Sequence, residues 1–106
     1  MIKTKRGSQF IGINMKELNS ILKGNKDAVL LDVRSIAEYK EGHINGAIVV
    51  ANYELHQKIR QIVEDKNTLI IVYCKSEIRS KIALETLKNL GYDNLYYLIG
   101  GLDNYL

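Results

Sequence analysis

Cys74 is the single cysteine of a 106-residue chain. It ends an apolar run in the stretch IVYCKSEIRS, residues 71–80, where charged and polar residues follow and a helical pattern starts near Arg79. If residues 75–78 form a tight loop, several backbone N–H groups point towards the sulfur. The helix N-terminus then adds unsatisfied donors and about half a unit of positive charge. Lys75 and Arg79 contribute two cations. Such surroundings bring a thiol down from about 8.5 towards neutrality and generate the thiolate, its nucleophilic form. They also attract an anion and hold negative charge that develops on it. The alternative is that Cys74 is a small hydrophobe at the end of a core strand. The loop alone leaves both readings open.

The other chemistry-bearing residues are few. His43 lies in EGHINGA and reads as a loop residue held by hydrogen bonds, while His56 falls on the polar side of an amphipathic helix. Two histidines and one cysteine lack zinc-like spacing, so no metal site is expected, and no cofactor is implied. Asp32 and Arg34 end an apolar strand in LLDVR. Asp32 reads as structural, bonded to backbone groups or to a basic neighbour. Arg34 either reaches a substrate at the strand end or sits in a structural ion pair.

These residues are positioned by apolar runs of strand length that alternate with helical patterns. DAVLLDV, GAIVV, NTLIIVY and NLYYLIGG are continuous apolar runs, suited to strands covered on both faces. QFIGI is a short extended piece before the first helix. Between the runs lie helices with recognisable ends. Asn14 with Glu17, and Ser35 with Glu38, have the capping-box spacing, and Gly24 and Gly42 are suitable stops. Leu55, Ile59, Ile62 and Val63 share one helical face, as do Ile82, Ala83, Leu87 and Leu90. LDNYL begins a last short helix. Alternating strands and helices predict an α/β fold, with a central, mostly parallel sheet and helices on both faces. In such sheets ligands gather beyond the carboxyl ends of the strands, where Cys74 lies.

The remaining composition narrows the function classes. The chain is long enough for one domain with its own core, burying about 65% of its unfolded surface. Hydrophobic residues make up 46% and charged residues 25%, as in an ordinary globular protein. No apolar run approaches the ~18 residues of a membrane span. The start, MIKTKRGSQF, is basic but lacks the apolar core of a secretory signal. One cysteine cannot form an internal disulfide, so a cytoplasmic location is expected. Residues 1–8 read as a basic, flexible tail and 9–106 as the domain. Part of the net charge of +3 sits in Lys3, Lys5 and Arg6. Elsewhere the charges are interspersed, so small anions are expected as ligands rather than nucleic acid. Tyr96 and Tyr97 read as packing residues of the sheet.

LLDVRSIAEYKEGHINGAIVV, then IIVYCKSEIRS, then LIGGLDNYL resembles the rhodanese family of sulfurtransferases over about residues 10–106, with the landmarks in order. The resemblance implies a rhodanese-like fold and places Cys74 as the catalytic nucleophile. Such enzymes take a sulfane sulfur from thiosulfate or a persulfide onto the cysteine and pass it to cyanide, a thiol or a partner protein. By the same resemblance, the backbone of Lys75, Ser76, Glu77, Ile78 and Arg79 cradles the outer sulfur, and the Lys75 and Arg79 side chains bind an anionic group. Phosphatases and arsenate reductases of this fold place arginine six positions after cysteine. Here Arg79 is five positions after Cys74, a smaller cradle that favours one sulfur atom over a tetrahedral oxyanion.

The sequence departs from the family pattern at two points. Glu77 stands where the loop usually has glycine. A left-handed backbone there would cost about 1–2 kcal/mol, and a carboxylate beside the sulfur would oppose thiolate formation and repel thiosulfate. Alternatively, Glu77 points to solvent and pairs with Lys81 at the helix start. Asn45 replaces proline in HINGA, where Asn-Gly still turns readily. The expected activity is sulfur transfer through a Cys74 persulfide, resolved by an external thiol because no second cysteine exists. The rival reading is a weakly active or non-catalytic module that binds a partner.

Overall fold

The computed structural model describes residues 10–105; the predicted tail at 1–8 lies outside them. Each apolar run becomes a strand: β1 (Ile11–Ile13), β2 (Val29–Asp32), β3 (Ile48–Val49), β4 (Ile70–Tyr73) and β5 (Leu95–Leu98). They form one sheet in the order β1-β5-β4-β2-β3. Every pairing is parallel, so the sheet is wholly rather than mostly parallel. The extended piece before the first helix is the edge strand β1, in register with Tyr96–Leu98.

Helices α1 (Met15–Gly24), α2 (Ile36–Glu41), α3 (Leu55–Ile62) and α4 (Ile78–Asn89) connect the strands. The two capping boxes form as read. Asn14 accepts from Glu17 N–H while the Glu17 carboxylate accepts from Asn14 N–H, both at 2.8 Å. Ser35 and Glu38 repeat the exchange at the start of α2. The closing LDNYL segment becomes a single 3-10 turn, Leu102–Tyr105.

The central strand β4 decides how the layers divide. Its four residues are all buried, and they alternate between faces. Ile70, Val72 and Cys74 join Leu55, Ile59, Ala83, Leu84 and Leu87 beneath α3 and α4. Ile71 and Tyr73 join Leu18, Leu30 and Leu98 on the opposite face, against α1 with Tyr39 of α2. Each fully buried aliphatic side chain contributes about 1.5–3 kcal/mol of transfer free energy, so β4 is a stiff platform. The same alternation sends Cys74 under α4 and sends the Tyr73 phenol towards α2.

The strand order reverses between β2 and β4. From β2 the chain turns outward to β3, and it returns on the other side of β2 to enter β4. Helix α2 leaves β2 on one face and α4 leaves β4 on the other. A crevice must therefore open at the carboxyl ends of these two strands, where open parallel sheets bind ligands.

Candidate active site

Cys74 and Arg34 lie at that reversal, Cys74 just past the end of β4 and Arg34 just past the end of β2. Cys74 is a free cysteine, only 1% exposed. Its Sγ accepts a hydrogen bond from the Ser80 N–H at 3.3 Å, in the first turn of α4. Residues 75–77 form the connecting bend. A cleft of about 450 Å³ opens beside them, lined by Arg34, Glu38, Glu41, His43, Lys75 and Asp103, with Gly42 and Leu102 completing the wall.

Glu77 follows the second of the two readings in its pairing, though not in its exposure. Its φ is −143°, outside left-handed space, so the glycine usual at this position is not needed for the backbone. Its carboxylate does pair with Lys81, at 3.1 Å, one turn along α4. However, it is half-buried rather than directed to solvent, and its other oxygen accepts from the Gly100 N–H at 2.7 Å. That backbone hydrogen bond, with help from Lys81, holds the Glu77 carboxyl below the usual carboxylate range. The charge is committed to tying the Cys74 loop to the segment after β5.

That segment forms a second seam. Leu102 N–H donates to the Cys74 carbonyl at 2.9 Å and Asp103 N–H to the Lys75 carbonyl at 3.0 Å. Gly101 has φ +66°, and a Cβ there would lie 2.0 Å from the Ser76 carbonyl oxygen. Only glycine lets the two backbones approach this closely. GGLDNY was legible as a structural landmark, but its role as the clamp on the Cys74 loop was not.

Both cations of the loop have carboxylate partners. Arg79 makes a two-pronged pair with Glu38 of α2, at 2.7 and 3.1 Å, which bridges the crevice. The guanidinium holds the Glu38 carboxyl at about 2, assisted by the Ser35 N–H. Lys75 pairs with Asp103 at 3.3 Å. Arg34 is buried against Asp32, with contacts of 2.7–3.2 Å, and also donates to the Gly42 carbonyl at 2.6 Å. Arg34 therefore forms an ion pair and lines the cleft, combining the two alternatives for it. Asp32 further accepts from the Tyr73 hydroxyl at 2.8 Å, and that hydroxyl accepts from the Ile44 N–H. Burial pushes the Tyr73 phenol well up, so it stays a neutral donor.

The side chains of the remaining candidates are exposed. His43 bonds the Tyr39 carbonyl at 2.8 Å and stacks on the Tyr39 ring, at the rim of the cleft. His56 is exposed on α3. Ile78 is 74% exposed, and Ser76 is exposed in the bend. Among the described residues no group of three or more His, Cys, Asp or Glu side chains is arranged to hold a metal ion. Nor is any helix among them long and apolar enough to cross a membrane.

Fold and site together define a class: a wholly parallel α/β domain with a cysteine at its strand-order reversal, held under a helix N-terminus. Residues 14–106 match the family of the rhodanese-like domain, and the chain belongs to that family. It is similar to the tRNA uridine(34) hydroxylase of Buchnera aphidicola subsp. Baizongia pistaciae, at 36% identity over 89% of this chain and 31% of that protein. The chain thus spans about a third of the length of the curated relatives it matches. Among solved structures it resembles a thiosulfate sulfurtransferase from Pseudomonas aeruginosa, with a TM-score of 0.79 and 30% identity over 88% of this chain and 18% of that one. It also resembles a rhodanese with anions from E. coli, with a TM-score of 0.68 and 34% identity over 73% of this chain and 89% of that one. These relationships support a sulfur-related function of the rhodanese type and a sulfurtransferase-like enzyme.

Proposed function

We propose that the domain is a sulfurtransferase in which Cys74 carries the sulfur. The Cys74 thiolate attacks the outer sulfur of a sulfane donor, a bond to Sγ forms, and the donor leaves as its thiolate or as sulfite. An external thiol or cyanide then attacks the outer sulfur of the persulfide and restores Cys74, two transfers in a ping-pong order. In this reading the backbone from Lys75 to Arg79 surrounds the outer sulfur, with Ile78 and Ser76 on the outer side of the loop. No cofactor takes part.

The observation that carries the reading is the position of Cys74 at the end of the central strand, its Sγ accepting from the Ser80 N–H beside the cleft. Phosphate chemistry is disfavoured because Arg79 is five positions after Cys74 and is engaged by Glu38. Hydroxylation of tRNA belongs to relatives about three times as long as this chain. For this domain we propose a small donor and a thiol acceptor, with neither nucleic acid nor membrane as partner. A cytoplasmic setting, where thiol acceptors stay reduced, suits this chemistry.

The near-complete burial of Cys74 favours one rival, a weakly active module that binds a partner. Intact-mass measurement after exposure to thiosulfate and, separately, to glutathione persulfide distinguishes the two. Sulfur transfer predicts a gain of one sulfur atom that is absent in Cys74→Ser and discharged by cyanide. An unchanged mass with both donors would establish the binding module.

A further inference from the structure

Resting on the sulfurtransferase reading, we infer that the mouth of the Cys74 cleft selects donors of little or no negative charge. Hydropersulfides on neutral or amine-bearing carriers fit it, and dianionic thiosulfate does not. The argument starts from the charges around the cleft. Three cations, Arg34, Lys75 and Arg79, stand among four carboxylates, Asp32, Glu38, Glu41 and Asp103, which leaves a net charge of −1. Each cation is within 3.3 Å of a carboxylate oxygen, and Glu41 has no ion-pair partner among the described residues.

An incoming dianion must therefore displace a carboxylate from a cation or approach an excess of negative charge. Neither route is easy for the Arg79 pair, which is two-pronged and anchored to the capping box of α2. The Lys75–Asp103 pair is looser, yet the Asp103 backbone is pinned to the Lys75 carbonyl, so the carboxylate stays beside the cation. An ammonium-bearing persulfide meets the opposite situation, with Glu41 available to receive it. Glu77, the residue whose charge first raised the question of donor choice, takes no part. Its carboxylate is occupied by Gly100 and Lys81.

The transfers balance with both donors. With a hydropersulfide, the Cys74 thiolate takes the terminal sulfur with its proton and the carrier thiolate leaves. With thiosulfate, the same attack releases sulfite and gives the Cys74 persulfide anion. Both steps move one sulfur without an external oxidant or reductant, so their electrostatics compare directly.

The test is the single-turnover rate of Cys74 persulfidation at pH 8. Thiosulfate and cysteamine persulfide are compared across ionic strength. The whole chain carries +3, so steering by net charge would make the thiosulfate rate fall as salt is added. Control by the local mouth makes it rise, and leaves the cysteamine persulfide rate flat or falling. Glu41→Gln and Asp103→Asn should each raise thiosulfate kcat/KM several-fold and lower the cysteamine persulfide value. A thiosulfate rate that falls with salt, or that ignores both substitutions, would overturn the inference alone. Failure of both donors to load Cys74 would overturn the sulfurtransferase reading beneath it.

Discussion

Two arginine–carboxylate pairs stand at the Cys74 crevice, alike in chemistry and unlike in surroundings. In Arg34–Asp32 the side chains are 8% and 0% exposed, whereas in Arg79–Glu38 they are 36% and 29% exposed. The first joins residues two apart and ends β2 in a network with Tyr73 and the Gly42 carbonyl. The second joins α4 to α2 across 41 positions of sequence. Burial raises the cost of separating such charges, while solvent screens the exposed pair. The inner pair therefore sets the shape of the strand ends, and the outer pair trims the mouth.

The largest expected effect follows from removing one member of the inner pair. Asp32→Ala leaves the Arg34 guanidinium buried without its countercharge and takes an acceptor from the Tyr73 hydroxyl. Loss of one partner from a buried pair costs about 3–5 kcal/mol. Urea unfolding should show that loss as a lower midpoint at an unchanged m value. A cost under about 1 kcal/mol, typical of a surface pair, would erase the contrast between the two pairs.

A junction without charges gives an intermediate effect and sharpens the comparison. Gly101 and Gly46 both have positive φ, +66° and +90°, but they meet different surroundings. A Cβ at Gly46 meets nothing within 4 Å, while one at Gly101 runs into the Ser76 and Lys75 carbonyls. Gly46→Ala should cost about 1–2 kcal/mol for the left-handed backbone alone. Gly101→Ala should cost more than that, because backbone must move as well. It should also slow Cys74 persulfidation at least tenfold, with Gly46→Ala close to the parent rate. Equal rates for the two variants would mean that the segment after β5 does not shape the Cys74 loop.

The parts that were legible in the sequence are those governed by near neighbours. Strands β2 to β5 announced themselves as apolar runs, and both capping boxes could be placed because their partners lie three residues apart. The position of Cys74 followed from the rule that ligands collect at strand ends. The contacts that define the mouth were hidden for the converse reason. Glu38 reads as a cap, and nothing local reveals that its carboxylate also meets Arg79, 41 residues on. Asp103 and Lys75 are 28 apart, and Gly100 and Glu77 are 23 apart. Only the strand order brings them together. In the inference above, the carboxylates that oppose anionic donors are Glu38, Glu41 and Asp103 rather than Glu77.

The smallest effect belongs to the outer pair, and acid should reveal it. Arg79 and the Ser35 N–H hold the Glu38 carboxyl at about 2, against an ordinary value of 4.5. The stability from this depressed group is fully present above about 4.5 and is lost as pH falls through about 2. Because both side chains are about a third exposed, solvent screening reduces the contribution to about 1 kcal/mol. Glu38→Gln keeps an acceptor for the capping box of α2 and removes only the charge. It should destabilise the domain by about that amount at pH 7, and the difference from the parent should shrink as pH falls from about 4.5 to about 2. Urea midpoints measured for both proteins across that range provide the check. A difference that stays constant down to the lowest pH would mean that Glu38 acts through the helix cap, and that the bridge to Arg79 adds nothing to stability.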